Sequence, residues 1–111
     1  MNQAELEIGT IEEEQPINRI VGGLRFRDLY YLSVLAEVQN FSRAAELCDI
    51  SQPALSNQIR KVEDLLNVRI FERNSRNVSV TSIGAEIVKY GNLLLQSARE
   101  MDNMAHRFAT N

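Results

Sequence analysis

Gln52, Ser56, Asn57, Arg60 and Lys61 fall on one side of a helical stretch whose other side is apolar, and Ser51 and Pro53 sit in its first turn. These side chains have the chemistry of a nucleic-acid contact. A glutamine amide holds a donor and an acceptor spaced for a bidentate bond to an adenine edge, serine bonds a base or a phosphate, and Arg and Lys neutralise phosphates. The first turn matters most, because recognition helices present that end to the major groove. An ordinary solvated helix face uses the same residue types, and the stretch alone does not separate the two readings. Its neighbours weigh for the first. Arg69, Arg73 and Arg76 cluster within eight residues downstream, and Arg43 lies upstream. A basic loop tip can follow a phosphate strand or enter a narrow minor groove, where negative potential draws guanidinium groups. The candidate DNA contacts are therefore Arg43, Ser51, Gln52, Pro53, Ser56, Asn57, Arg60, Lys61, Arg73 and Arg76.

Catalysis finds no support in the inventory. His106 is the one histidine, has no second ligand at a useful spacing, and reads as a solvated residue. There is no Gly-rich phosphate loop, zinc-type Cys/His pattern or nucleophile–base pair. The expectation is a protein that is not an enzyme and needs no cofactor or metal. Cys48 is the single cysteine, which excludes an internal disulfide framework. Beside Asp49 and inside a small apolar face, it reads as a buried hydrophobe, not a reactive thiol. No apolar run approaches the roughly 18 residues of a membrane span, and the N-terminus is acidic where a signal peptide is basic. A cytoplasmic, non-membrane location follows.

Positioning these residues requires a short series of helices. The first is expected from Arg27 to Gln39, with Phe26, Leu29, Leu32, Ser33 and Ala36 on its core face. Tyr31, Val34, Leu35 and Val38 lie on a different side, a candidate contact with another element or subunit. A short second helix fits Ser42–Cys48, where Ala44 and Ala45 allow close approach of a neighbour. The third starts at the N-cap Ser51, with Pro53 in its first turn, and carries the apolar stripe Leu55, Ile59, Val62 and Leu66. Asn67 can adopt the left-handed conformation that ends it. Two helices separated by Asp49 and Ile50 describe a helix-turn-helix spanning 41–60. Strands over 68–72 and 78–80 around a polar turn at 73–77 then form a wing. Thr81 caps a long final helix reaching about Arg107.

That final helix has an unusual repeat. Gly84, Gly91, Ala98 and Ala105 are seven residues apart, and Ile87, Leu94, Met101 and Phe108 hold the other seam position. Small seam residues let two helix backbones pack closely, and a domain this small offers nothing to bury the whole stripe. A second copy of the chain is the simplest partner. The expected dimer interface comprises Tyr31, Val34, Val38, Gly84, Ile87, Gly91, Leu94, Ala98, Met101, Ala105 and Phe108.

The fold class is thus mainly α: a winged helix-turn-helix of three helices and a two-stranded wing, over residues 24–81, followed by a linker and dimerisation helix over 82–111. Residues 1–23 read as a flexible acidic arm, with five glutamates against Arg19 and no useful periodicity. The arm carries −4 of the net charge of −3, leaving +1 for the other 88 residues. A near-neutral domain is weak support for a polyanion partner, so the placement of the bases has to make the case.

The run Phe41-Ser42-Arg43-Ala44-Ala45, then Ser51-Gln52-Pro53-Ala54-Leu55-Ser56 and Gln58-Ile59-Arg60-Lys61-Val62-Glu63, closely resembles the N-terminal domain of LysR-type transcriptional regulators. Phe71-Glu72-Arg73, Arg76 and Thr81-Ser82-Ile83-Gly84 match the wing and the start of the linker helix, so the resemblance covers about Leu24 to Phe108. Arg27-Asp28-Leu29 and Asn74-Ser75-Arg76 look most like the peroxide-responsive members. The resemblance implies double-stranded DNA as partner, with contacts at the positions of Gln52, Pro53, Ser56, Asn57 and Arg73. It also implies a homodimer through antiparallel linker helices, and a tetramer in the full-length case. Asn57 stands where the family commonly has arginine, and Asn67 where it often has glycine. Family members continue into a much longer effector-binding part, so the chain is expected to be an isolated DNA-binding fragment, without the redox-active cysteines of peroxide sensors. An interaction module that pairs with a full-length relative and blocks it is the competing function, since it needs the final helix but not Gln52, Ser56 or Arg73 on DNA.

Overall fold

The computed structural model describes residues 15–74 and 77–110 of the 111-residue chain. In chain order the elements are α1 (Gln15–Gly23), α2 (Phe26–Val38), α3 (Phe41–Cys48), α4 (Gln52–Leu66), β1 (Phe71–Arg73), β2 (Val78–Val80) and α5 (Ser82–Thr110). This is the expected winged helix-turn-helix followed by a long helix.

Local chemistry sets most helix ends. Asn40 Oδ1 accepts from the Arg43 amide at 2.8 Å, and Ser51 Oγ accepts from the Ala54 amide at 3.2 Å, so each helix of the helix-turn-helix starts on a side-chain cap. Thr81 Oγ1 does the same for α5 through the Gly84 amide at 2.9 Å. At the other ends Gln39, Asp49 and Asn67 take the left-handed conformation, with φ of 53°, 56° and 57°. Each thereby turns its own amide back onto a carbonyl of the last turn. Asp28 is buried and accepts from the Arg25 amide at 3.0 Å and its guanidinium at 3.1 Å, fixing the entry into α2. The same contact pushes the Arg25 pKa above its ordinary value.

The core lies where α2, α3, α4 and the wing meet. Leu32, Leu35, Leu55, Ile59, Ile70 and Phe71 are its largest fully buried side chains. Buried Ala44 and Ala45 let α3 approach its neighbours closely, and Cys48 packs beside them, half-buried. Burial raises the Cys48 pKa and keeps the thiol protonated, as a small packing residue requires.

Several expectations are corrected. The side of α2 given to another element or subunit meets other elements of the same chain: Tyr31 and Leu35 are buried in the core, which corrects the assignment of Tyr31 to a dimer interface, and Val34 and Val38 pack half-buried against it. Phe26, expected in the core, is 57% exposed. The cause is that α2 is covered on two flanks, by α3 and α4 and by α5, so no single apolar stripe describes it. Residues 15–23, part of the presumed irregular arm, are helical. The segment is amphipathic over nine residues, too short to hold as an isolated helix, and its end abuts α4, where a methyl on Gly23 would come within 2.9 Å of Leu65 Cδ1. Residues 1–14 lie outside the described part.

The wing is an antiparallel pair with Phe71 opposite Val80 and Arg73 opposite Val78. Asn74 closes its turn, with Oδ1 accepting from the Asn77 amide at 2.7 Å. The first strand therefore runs to Arg73, later than the expected 68–72, because Val68 still belongs to the cap of α4.

Candidate nucleic-acid interface

The helix-turn-helix geometry aims the first turn of α4 outward. Leu55, Ile59 and Val62 are buried at helical spacing, which turns Gln52, Asn57, Arg60 and Lys61 to solvent and leaves Ser56 half-buried at the edge. Ser51 and Pro53 are exposed in the same turn. An open groove of about 420 Å³ runs between this turn, the start of α3 and the wing, lined by Asn40, Phe41, Ser42, Gln52, Ser56, Arg73, Asn74, Asn77 and Val78. Gln52 and Ser56 are thus brought to one surface with the wing. Ser42 Oγ donates to Gln52 Oε1 across this groove at 2.8 Å. A second open cleft of about 430 Å³ at the far end of α4 gathers Arg60, Arg69 and Arg73 with Glu63, Asp64, Asn67 and Val68. Arg43 is exposed in the first turn of α3. Arg76 lies outside the described residues.

Arg73 does not match its expected place in the turn. It ends β1, and its guanidinium pairs with Glu63 Oε1 at 3.1 Å and lies over the Phe41 ring, 5.3 Å from the centroid. Its Nε is buried with no hydrogen-bond partner among the described residues. The side chain is 28% exposed. Arg73 therefore ties three elements together and offers only part of its charge to a ligand.

Glu63 is the functional-region residue that sequence reading missed. Its Oε2 accepts from the Ile70 amide at 2.8 Å and the Phe71 amide at 3.2 Å, while Oε1 takes Arg73. One carboxylate thus hangs the wing on α4. Its place in the run Gln58–Glu63 and just before the helix end marked it, but neither specifies partners seven to ten residues away.

The dimer candidates divide in two. Gly84 is buried, and a methyl there would run into the Ile70 carbonyl. Gly91 is buried with Leu29 Cδ2 at 3.5 Å from where its Cβ would be, and Ile87 packs half-buried against the core. Gly84, pressed on Ile70, and Gly91, packed on Leu29 of α2, are buried within one chain, which corrects their assignment to a second subunit, while Ile87 is half-buried there. Leu94, Met101 and Phe108 are 50%, 68% and 84% exposed, with Ala98 half-buried and Ala105 exposed between them. An apolar hollow of about 200 Å³, lined by Leu24, Leu29, Leu32, Leu66, Ile87, Tyr90, Gly91 and Leu94, marks where α5 leaves the core. Among the described residues no group of three or more His, Cys, Asp and Glu is placed to hold a metal, and no helix is long and apolar enough to cross a membrane.

Fold and surface together define a winged helix-turn-helix domain with a projecting helix. Residues 26–85 match the model of the bacterial regulatory helix-turn-helix proteins of the lysR family, and the chain belongs to that family. A hydrogen peroxide-inducible genes activator of Pectobacterium carotovorum subsp. carotovorum is 45% identical over 82 residues, 74% of this chain and 27% of the relative. The HTH-type transcriptional regulator BenM of Acinetobacter baylyi is 36% identical over 87 residues, 78% of this chain and 29% of the relative. The crystal structure of a BenM_DBD/catB site 1 DNA complex superposes with a TM-score of 0.75 at 36% identity, covering 78% of this chain and 94% of that one. These relatives are transcriptional regulators, not enzymes, in line with the residue inventory. The chain spans little more than a quarter, 27%, of the length of the first of these relatives.

Proposed function

We propose that this chain binds double-stranded DNA sequence-specifically, as the DNA-binding domain of a transcriptional regulator. The observation that supports this most is the shared groove, where Gln52 and Ser56 on the first turn of α4 stand beside the wing's Arg73, Asn74 and Asn77. The DNA complex in which the BenM domain was crystallised supports it from outside. In this reading the N-terminal end of α4 enters the major groove, Gln52 and Ser56 meet base edges, and Pro53 and Asn57 pack beside them. Arg43, Arg60, Lys61 and Arg69 neutralise phosphates, while Arg73 and Arg76 bring the wing to the backbone. Base contacts specify the site and phosphate contacts hold the register.

The active unit in this reading is a homodimer. Exposed Leu94, Met101 and Phe108 along the outer part of α5 give an apolar strip left bare among the described residues, with Ala98 and Ala105 allowing a second helix close. Residues 24–81 then form the DNA-binding unit and 82–111 the linker, in a cytoplasmic regulator.

The test is a titration of the full chain against a duplex enriched from a randomised pool and against a scrambled one. Binding at least about 10³-fold tighter to the enriched duplex is expected at physiological salt. Equal affinity for the two would contradict the proposal.

A further inference from the structure

Resting on the reading of α4 as the base-contacting helix, we propose that Ser42 is a positioning residue that sets the orientation of Gln52 and so tightens base selection. Ser42 lies on α3 and Gln52 is the first residue of α4, ten positions apart, yet Ser42 Oγ donates to Gln52 Oε1 at 2.8 Å. Both backbones are fixed where this bond forms. Asn40 caps the turn holding Ser42, and Ser51 caps the turn holding Gln52. The groove wall opposite is fixed too, since Arg73 is held by Glu63 and Phe41. In this fixed frame the exposed Gln52 amide has three rotatable bonds, and the Ser42 hydroxyl restrains it.

The bond decides which way round the amide is presented. Oε1 gives one lone pair to Ser42 and keeps the other, and Nε2 keeps both protons. The restrained amide still has the acceptor and the donor that an adenine edge requires, in one fixed order. An unrestrained amide could rotate and offer the reverse order, or donors alone, to other bases. Ordering the side chain before binding also removes part of its entropy cost, which is an effect of about threefold to tenfold in affinity. Ser42 acts here through Gln52 and not as a base contact itself.

The experiment is a double-mutant cycle on the full chain. Ser42→Ala, Ser42→Thr, Gln52→Ala and the Ser42→Ala/Gln52→Ala pair are titrated by fluorescence anisotropy. The DNAs are the pool-enriched duplex, its single base-pair variants and a scrambled duplex. Ser42→Ala is expected to weaken the enriched duplex by about threefold to tenfold, and to flatten selectivity at the same base pair that Gln52→Ala flattens. Ser42→Thr keeps the hydroxyl and is expected to keep selectivity. In the Gln52→Ala background, removing Ser42 is expected to change nothing further. An undiminished Ser42→Ala loss in that background, or an equal loss on the scrambled duplex, would overturn the proposal and make Ser42 a phosphate ligand. A wild-type chain without preference for any duplex would instead bring down the reading of α4 on which this rests, a result visible before any variant is made.

Discussion

At the scale of single residues, the most constrained positions are those whose partners are distant in sequence. Gly84 shares a seven-residue spacing with Gly91, Ala98 and Ala105, which suggested one continuous seam. Its backbone is in fact pressed onto the Ile70 carbonyl, where no side chain fits. Gly84→Ala is expected to destabilise the fold by about 2 kcal/mol or more, since backbone must move to admit a methyl. Denaturant unfolding measures it, and an unchanged midpoint would refute the assignment. Glu63 gives a second case. Glu63→Ala strips a hydrogen-bond acceptor from the Ile70 and Phe71 amides and leaves the Arg73 guanidinium unpaired. The expected cost is about 2–4 kcal/mol. Hydrogen exchange should rise in the wing before it rises in α4, and uniform exchange across both would argue against a latch.

At the scale of elements, what could be read from the sequence was what is decided locally. Ser51, Asn67 and Thr81 sit at the helix ends expected of them, because a cap is a contact between near neighbours. Of the stripe Leu55, Ile59, Val62 and Leu66, the first three are buried as its spacing required and Leu66, at the helix end, is half-buried. The strip on α2 misled, since Tyr31 and Leu29 face different neighbours and both are buried. Residues 15–23 misled in the other sense: they are helical and amphipathic, but the pattern runs for only nine residues and is easily passed over beside the acidic segment before it. Gln39 marks a cost at an element end: it holds φ of 53° with no short polar side chain suited to that region. Gln39→Gly is expected to stabilise the domain by about 0.5–1 kcal/mol, read as a higher thermal midpoint, and a lower midpoint would show that the Gln39 side chain contributes contacts of its own. On α5 the division into a covered and a bare half carries the dimer proposal. Ala98→Glu would set a charge within the bare half and is expected to yield monomers in sedimentation at micromolar concentration. A wild-type chain that already sediments as a monomer would remove the proposal altogether.

At the scale of the whole molecule, the net charge of −3 hid the candidate interface, because five of the acids lie before residue 15, while five of the twelve bases lie between residues 60 and 76. The groove itself was legible in part. Gln52 and Ser56 could be placed on an exposed helix turn, whereas the Ser42 bond and the Glu63–Arg73–Phe41 connection depend on how α3, α4 and the wing pack. In the proposed complex the first turn of α4 reads bases while the surrounding arginines and lysines hold phosphates. The direct measurement compares Gln52→Ala with Arg60→Ala on enriched and scrambled duplexes across a salt series. Gln52→Ala should lose about 1–3 kcal/mol on the enriched duplex, almost nothing on the scrambled one, and keep the salt slope. Arg60→Ala should weaken both duplexes alike and lower the slope by about one unit. If Gln52→Ala instead weakened the two duplexes equally, the base-reading face would not be the first turn of α4.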